Sequence, residues 1–261
     1  MTTKEAALRW IGRGYLVVPV PHREKKPVSK EWEKLRLTAA DVPKYFNGQP
    51  QNIGVLLGDR HNHTDVDLDC PEALVCAPLF LPETKLVFGR KSNPASHRFY
   101  RASAPLETIR FLDPIRQKDP ATGKEKQDTI LELRGRKRDG TIGLQTITPP
   151  SVHPSGELIR FEPNGDGAAS KVDAAALETA VRHLAAAALL AKHFPGDGAR
   201  HTAFLALAGM LGRSGLGEDA ILRIHAAIYA VLWPGVRPGV VVGGAGYPAE
   251  TGRGQRRHRL P

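Results

Sequence analysis

A mixed α/β fold of the α+β kind, ending in a small helical bundle, is predicted by three features of the sequence. From residue 15 to 161, short runs of Val, Ile, Leu and Phe alternate with Gly, Pro and Asn turns, the punctuation of a sheet. From 172 to 232 the apolar residues recur at three-to-four spacing, the period of helices packed on one face. Between them, Pro163 to Ser170 is a Gly/Asn/Asp/Ala stretch that reads as a linker.

In chain order, Ala6 to Ile11 forms the core of a helix that closes at Gly12 and Gly14, and Tyr15 to Val20 is a short buried strand. A basic polar stretch, His22 to Lys30, follows. Thr38 to Phe46 is a small helix with Thr38 as its N-cap. Asn52 to Gly58 and Thr64 to Asp69 are strands, and Pro71 opens a helix at the turn where its missing N–H costs nothing. Further strands fall at Lys85–Phe88, His97–Arg101, Thr129–Arg134, Leu144–Ile147 and Ile159–Phe161. Asp113 to Asp128, rich in charge, Pro and Gly, is a loop or hairpin insertion. Helices cover Val172–His193, Arg200–Arg213 and Glu218–Leu232. The division is a first domain over 1–162, a linker over 163–171, a helical domain over 172–234 and a disordered basic tail over 235–261.

The chain of 261 residues carries 37 Lys plus Arg against 27 Asp plus Glu, a net charge of +10. Such a surplus suits a polyanionic partner through counterion release, and equally suits solubility alone. Two cysteines, Cys70 and Cys76, argue against a disulfide scaffold and for a reducing cytoplasm. No apolar run approaches the ~20 residues of a membrane span, so no membrane partner is expected.

Three motifs carry chemistry. In Thr64-Asp-Val-Asp-Leu-Asp-Cys70, strand alternation aligns Asp65, Asp67 and Asp69 on one side and Val66 and Leu68 on the other. Aspartate is a poor strand former, and three aligned carboxylates repel unless a hard cation sits among them. The alternative is a strand running out into a solvated acidic loop. In Gly89 to Arg101, a Gly/Ser/Pro loop with Arg90 and Lys91 leads to a strand bearing Ser96, His97 and Arg98. Short side chains with cations suit phosphate, although a lone His is more often structural. In Ile130-Leu-Glu-Leu-Arg134, Glu132 interrupts an apolar strand and needs either a metal or an ion pair to Arg134 or Arg136.

The order of these motifs resembles the bifunctional primase-polymerase N-terminal family of the archaeo-eukaryotic primase superfamily. The resemblance rests on Asn52 to Gly58, Asp67-Leu-Asp69 with Pro71-Glu-Ala73, Leu81 to Thr84, Ser96-His97, Leu131 to Gly135 and Pro149 to Gly156, across residues 5–162. Asp65 departs from the pattern, as an acid where an apolar residue is expected.

The resemblance implies a catalytic core with a sheet like that of the RNA-recognition motif. It implies that Asp67, Asp69 and Glu132 hold two Mg²⁺ or Mn²⁺ ions, with Ser96, His97, Arg90, Arg98 and Lys91 on the nucleotide. It further implies template-directed primer synthesis from dNTPs or NTPs on single-stranded DNA, in plasmid, phage or mobile-element replication, with a separate replicative helicase as partner. Arg134, Arg136, Lys137, Arg182 and Arg200 are the candidate DNA contacts, with His183 and Lys192 beside the last two. A DNA-holding replication-initiation protein and a metal-dependent nuclease are the competing functions. His61-Asn62-His63 and the two cysteines match no usual zinc spacing, and no GxxxxGK[ST] loop occurs.

Overall fold

The computed structural model describes residues 1–120 and 122–235. The predicted tail, 235–261, lies outside the described residues from 236 onward.

Helix α1 (Thr3–Gly12) starts on a capping box, with Thr2 Oγ1 accepting from the Glu5 backbone N–H and Glu5 Oε2 accepting from that of Thr2. It buries Ala6, Ala7 and Trp10. Strand β1 (Val17–Pro21) pairs with β2 (Gln51–Leu56), which pairs with β8 (Gln145–Thr148) to make a small antiparallel sheet. Between β1 and β2 lies the short helix α2 (Val42–Tyr45). The expected helix from Thr38 is shorter, and Thr38 is not its cap. Asp41 accepts from both the backbone and hydroxyl of Thr38, closing a turn that delays the helix.

The larger sheet has the order β6 (Ile109–Lys118), β7 (Glu125–Arg134), β3 (His63–Leu68), β5 (Asn93–Ala102), β4 (Leu86–Arg90), β9 (Arg160–Asp166), with β10 (Ser170–Val172) parallel to β5. The charged segment 113–128 is the outer part of the β6–β7 hairpin. Residues 163–171, expected as a linker, instead carry the end of β9 and the start of β10. Gly165 and Gly167 let this polar stretch press against Val87 and Lys85, where a Cβ would meet backbone oxygen at 2.3 and 3.0 Å. The composition of a linker here serves close backbone approach in a sheet.

The large sheet is covered on both faces. Val66, Leu68, Tyr100, Leu131 and Leu133 face α3 (Pro71–Phe80), α4 (Ala174–Lys192), α5 (Arg200–Arg213) and α6 (Glu218–Leu232) across one core. Phe88 and Phe99 face α1 and the small sheet across the other. Each of these large side chains is buried, worth about 1.5–3 kcal/mol apiece by transfer. Helix α4 is long and apolar enough to cross a membrane by length and composition. Its Leu177, Val181, Leu184 and Ala188 are instead buried against the sheet and neighbouring helices.

One buried ion pair ties that helix to the sheet. Asp113 on β6, with its side chain wholly buried, accepts from Lys192 Nζ at 2.8 Å, from the Ile115 backbone at 3.0 Å and lies 2.9 Å from His193 Nε2. Loss of hydration opposes the ionised carboxyl, but these hydrogen bonds and the Lys192 charge prevail and lower it to about 2. A carboxyl depressed by folding contributes stability that is full above its ordinary value and disappears as pH falls through the folded one. Urea unfolding is therefore expected to find Asp113→Asn less stable than wild type by about 1–3 kcal/mol near neutrality. That gap should close between about pH 4 and about pH 2. A gap that persists below this window would show that the ion pair does not secure the helix.

Candidate active site

Sheet register assembles the site. Glu132 on β7 lies opposite Asp67 on β3, Asp67 opposite His97 on β5, and His97 opposite Phe88 on β4. Opposed residues share a face with Cβ atoms about 4.5–5.5 Å apart, so motifs distant in sequence form one row. Asp67 and His97 of this row line a cleft together with Thr146 and Ile147 of the small sheet.

Asp67 is nearly buried. Loss of hydration and the charges of Asp65 and Glu132 raise its carboxyl, while His97 and Arg134 pull the other way. Asp69, just past the end of β3, keeps an exposed edge and lines the cleft. Loss of hydration, then Asp67 and Glu132, push it up to about 7. Glu132 is bonded by Arg110 Nε and approached by Arg134 Nε at 3.5 Å.

Asp65, the extra acid, is fully buried beneath the row. Its Oδ2 accepts from Thr146 Oγ1 at 2.7 Å and meets His97 Nδ1 at 2.9 Å, while Oδ1 has no hydrogen-bond partner. Burial disfavours a charged His97, yet Asp67 and Asp65 with that hydrogen bond raise its pKa overall. His97 also stacks on Phe88, with ring centroids 5.0 Å apart. Asp65, Asp67 and His97 offer ligand atoms within 4.8 Å of one another.

The donor set fits a hard divalent cation, because carboxylates with raised pKa values and an unpartnered buried oxygen gain most from positive charge. Asp67, Asp69 and Glu132 are more open than Asp65, which is wholly buried, although Glu132 is also held by Arg110 and Arg134.

Arg134, expected on DNA, belongs to this row. Its Nη1 lies 3.5 Å from Asp67, 3.8 Å from Asp65 and 3.0 Å from Thr146 Oγ1, and its Nη2 donates to the Gln145 carbonyl at 2.8 Å. It serves the acids as a resident counter-charge.

Facing the acids is a basic wall. Ser96 and Arg90 line the cleft with His97 as expected, joined by Lys25, Asn93 and His153, which the motifs had not singled out. Lys25 came from the basic stretch and His153 from the Pro149–Gly156 motif, so both were visible only as neighbours of something else. His153 is lowered to about 4 by loss of hydration and by Lys25 and Arg90, and its Nε2 is buried without a partner. The expected loop at Gly89 is a tight hairpin with Lys91-Ser92 at its tip. A Cβ at Gly89 would meet Asn93 O at 2.5 Å, so only glycine fits. Lys91 is exposed and does not line the cleft. Arg98, opposite Val66, lies on the other face of β5 toward the helices.

The remaining DNA candidates lie apart. Arg136 donates to the Gly58 carbonyl, Lys137 is exposed, Arg182 pairs with Glu178, and Arg200 pairs with Asp197 over the Trp233 ring. Lys192 is held by Asp113. Cys70 and Cys76 are buried free thiols, both pushed up to about 12 by burial.

Together these features define an α+β domain whose sheet carries an acidic, cation-competent cleft facing a basic wall. The chain belongs to the bifunctional DNA primase/polymerase, N-terminal family, whose sequence profile matches residues 7–178. Membership implies primase/polymerase activity of the nucleotidyltransferase type. The match runs past residue 162 into α4 and so includes β9 and β10. No curated protein matches the chain significantly.

Cation binding is expected to appear as thermal stabilisation. A ligand at about 100 times its Kd stabilises by about 2.7 kcal/mol. Mn²⁺ should therefore raise the Tm of wild type and leave that of Asp67→Asn plus Asp69→Asn unmoved. An equal rise in both proteins would exclude these two acids as ligands.

Proposed function

We propose that this protein is a template-directed primase/polymerase that makes and extends primers from dNTPs or NTPs during replication of a plasmid, phage or mobile element. The single observation behind this reading is the row Glu132–Asp67–His97, flanked by Asp69 and faced by Arg90, Ser96 and Lys25. Asp67 and Asp69 for cations and Arg90 and Lys25 for phosphates line one cleft, with Glu132 beside Asp67 in the row, as transfer of a nucleotidyl group requires.

Asp67, Asp69 and Glu132 would hold two Mg²⁺ or Mn²⁺ ions, which supply Lewis acidity toward an attacking 3′-hydroxyl and a departing pyrophosphate. The protein's own groups do the rest. Asp65 fixes His97 by its Nδ1 and thereby leaves Nε2 for a phosphate oxygen. The raised pKa of His97 favours the imidazolium, a donor to that oxygen. Arg90 is braced by Ser92 and Glu157, which keep its guanidinium at the cleft wall. Arg134 lets the acids stand together before any cation arrives. The helical layer shares a core with the large sheet, which supports a role in stiffening the sheet that carries the site.

Incubation with single-stranded template, labelled nucleotides and Mn²⁺ should yield primers. Asp67→Ala plus Asp69→Ala should lower the yield by at least about 100-fold, the scale of a lost electrostatic stabiliser. Template binding without synthesis under either metal would favour a replication-initiation protein, and shortening of the DNA would favour a nuclease. His97→Ala should raise the KM for nucleotide by about tenfold or more, the worth of a charged hydrogen bond. DNA affinity should not change in that variant.

A further inference from the structure

A second cationic hollow lies at the opposite end of β3 and β5. The His63–Arg101 pair is four residues along β3 from the Asp67–His97 pair, about 13 Å at roughly 3.3 Å per residue. The turn leading into β3 is rigidly built. Buried Asp59 accepts from the backbone N–H groups of His61 and His63 and meets His63 Nδ1 at 2.9 Å. Asn62 adopts a left-handed φ of 54°, and Tyr15 stacks on His63 with centroids 4.1 Å apart. This turn presents Arg60 and His61 beside Arg101 and Lys171, around a hollow of about 510 Å³.

The donors here exceed the acceptors. Arg60 Nε lies 3.1 Å from His61 Nε2, and Arg101 Nη2 lies 3.1 Å from His61 Nδ1. A neutral imidazole has a single acceptor nitrogen, so at most one of these contacts is a hydrogen bond. The other guanidinium meets a donor and is left for an outside acceptor. Among the described residues, neither Arg60, Arg101 nor Lys171 has an ion pair. The one carboxylate in the lining, Asp173, is turned to its own helix, accepting from the Ala176 backbone and from Ser103 Oγ.

We propose that Arg60, Arg101 and Lys171 form a nucleic-acid site that grips the phosphodiester backbone of the template strand, at a fixed distance from the acidic cleft. The hollow offers charge without carboxylates free for a cation and without an aromatic surface beyond His61 for a base. That chemistry suits sugar-phosphate passing through rather than a bound nucleotide. Because β3 and β5 run through both sites, a strand held here is indexed to the Asp67 row. The assignment of a template rests on the primase reading, but strand binding does not require synthesis.

The test is fluorescence anisotropy of a labelled single-stranded oligonucleotide with the full chain, without nucleotide or metal, across a range of salt. Removing three phosphate contacts should reduce the slope of log K against log salt by about 2. Arg60→Gln/Arg101→Gln/Lys171→Gln is expected to show that change with a tenfold or greater loss of affinity, while an equal charge change at exposed Lys4, Lys118 and Lys124 is not. Equal losses in the two triple variants, or an unchanged slope, overturn the site. Displacement of the strand by inorganic phosphate as effectively as by unlabelled DNA would make it a small-anion site, and would also overturn it. If Asp59→Asn, which loosens the turn but keeps every cation, weakens binding in the same assay, the role of the rigid turn is supported; unchanged binding removes it. Wild-type protein that binds DNA through these residues yet makes no primers would refute the primase reading and leave this site standing.

Discussion

Carboxylates crowded on adjacent strands of one sheet set the terms for the rest of the molecule. Two unit charges about 4 Å apart at an effective dielectric of about 20 repel by about 4 kcal/mol. Asp65, Asp67 and Glu132 therefore need positive charge and donors nearby. Arg134 and His97 supply the charge, and Thr146 supplies a hydroxyl from the other sheet. The same Arg134 reaches the Gln145 carbonyl, so neutralising the acids also clamps the small sheet to the large one. Binding chemistry and inter-sheet packing share one set of contacts.

The small sheet in turn builds the basic wall. Asn52 at the start of β2 donates to the carbonyls of Glu24 and Val152 and accepts from the Val152 backbone. It pins the basic stretch that carries Lys25 and the turn that carries His153 to one strand. A Cβ at Gly54, two residues on, would meet Gln145 Oε1 at 2.4 Å and Val18 Cγ2 at 2.9 Å, so those side chains would have to move. The Asn-Ile-Gly sequence thus has a mechanical meaning: it brings cations from two irregular segments to the rim of an acidic sheet.

Strands β3 and β5 also connect the two ends of the domain. At one end their side chains meet in the acid–imidazole row, and at the other stand Arg60 and Arg101, which have no ion pair among the described residues. A buried Asp59–His63 pair fixes the far turn much as Asp65 fixes His97 in the cleft. In both places a buried aspartate orients a histidine.

Local pattern was enough to locate most strands and helices, since alternation and three-to-four spacing are read over a few residues. It was also enough to mark Asp67, Asp69, Glu132, Ser96 and His97 as special, because polar groups in apolar strands demand a reason. Composition misread 163–171, where glycines that resemble a linker permit close strand contact. Spacing alone left Asp65 equivalent to Asp67 and Asp69, since strand periodicity assigns a face and not a depth. The family resemblance had set Asp65 apart, and the second sheet supplies the physical difference by burying Asp65 under Thr146 and leaving Asp69 at the rim. Arg134, which the sequence offered both as a DNA contact and as an ion-pair partner of Glu132, sits among the acids as their partner, while Arg98 lies on the opposite face of its strand from His97. The identities of the acids were written in the sequence. Their depth, partners and access to solvent came from tertiary structure, because each depends on what a distant segment lays on top.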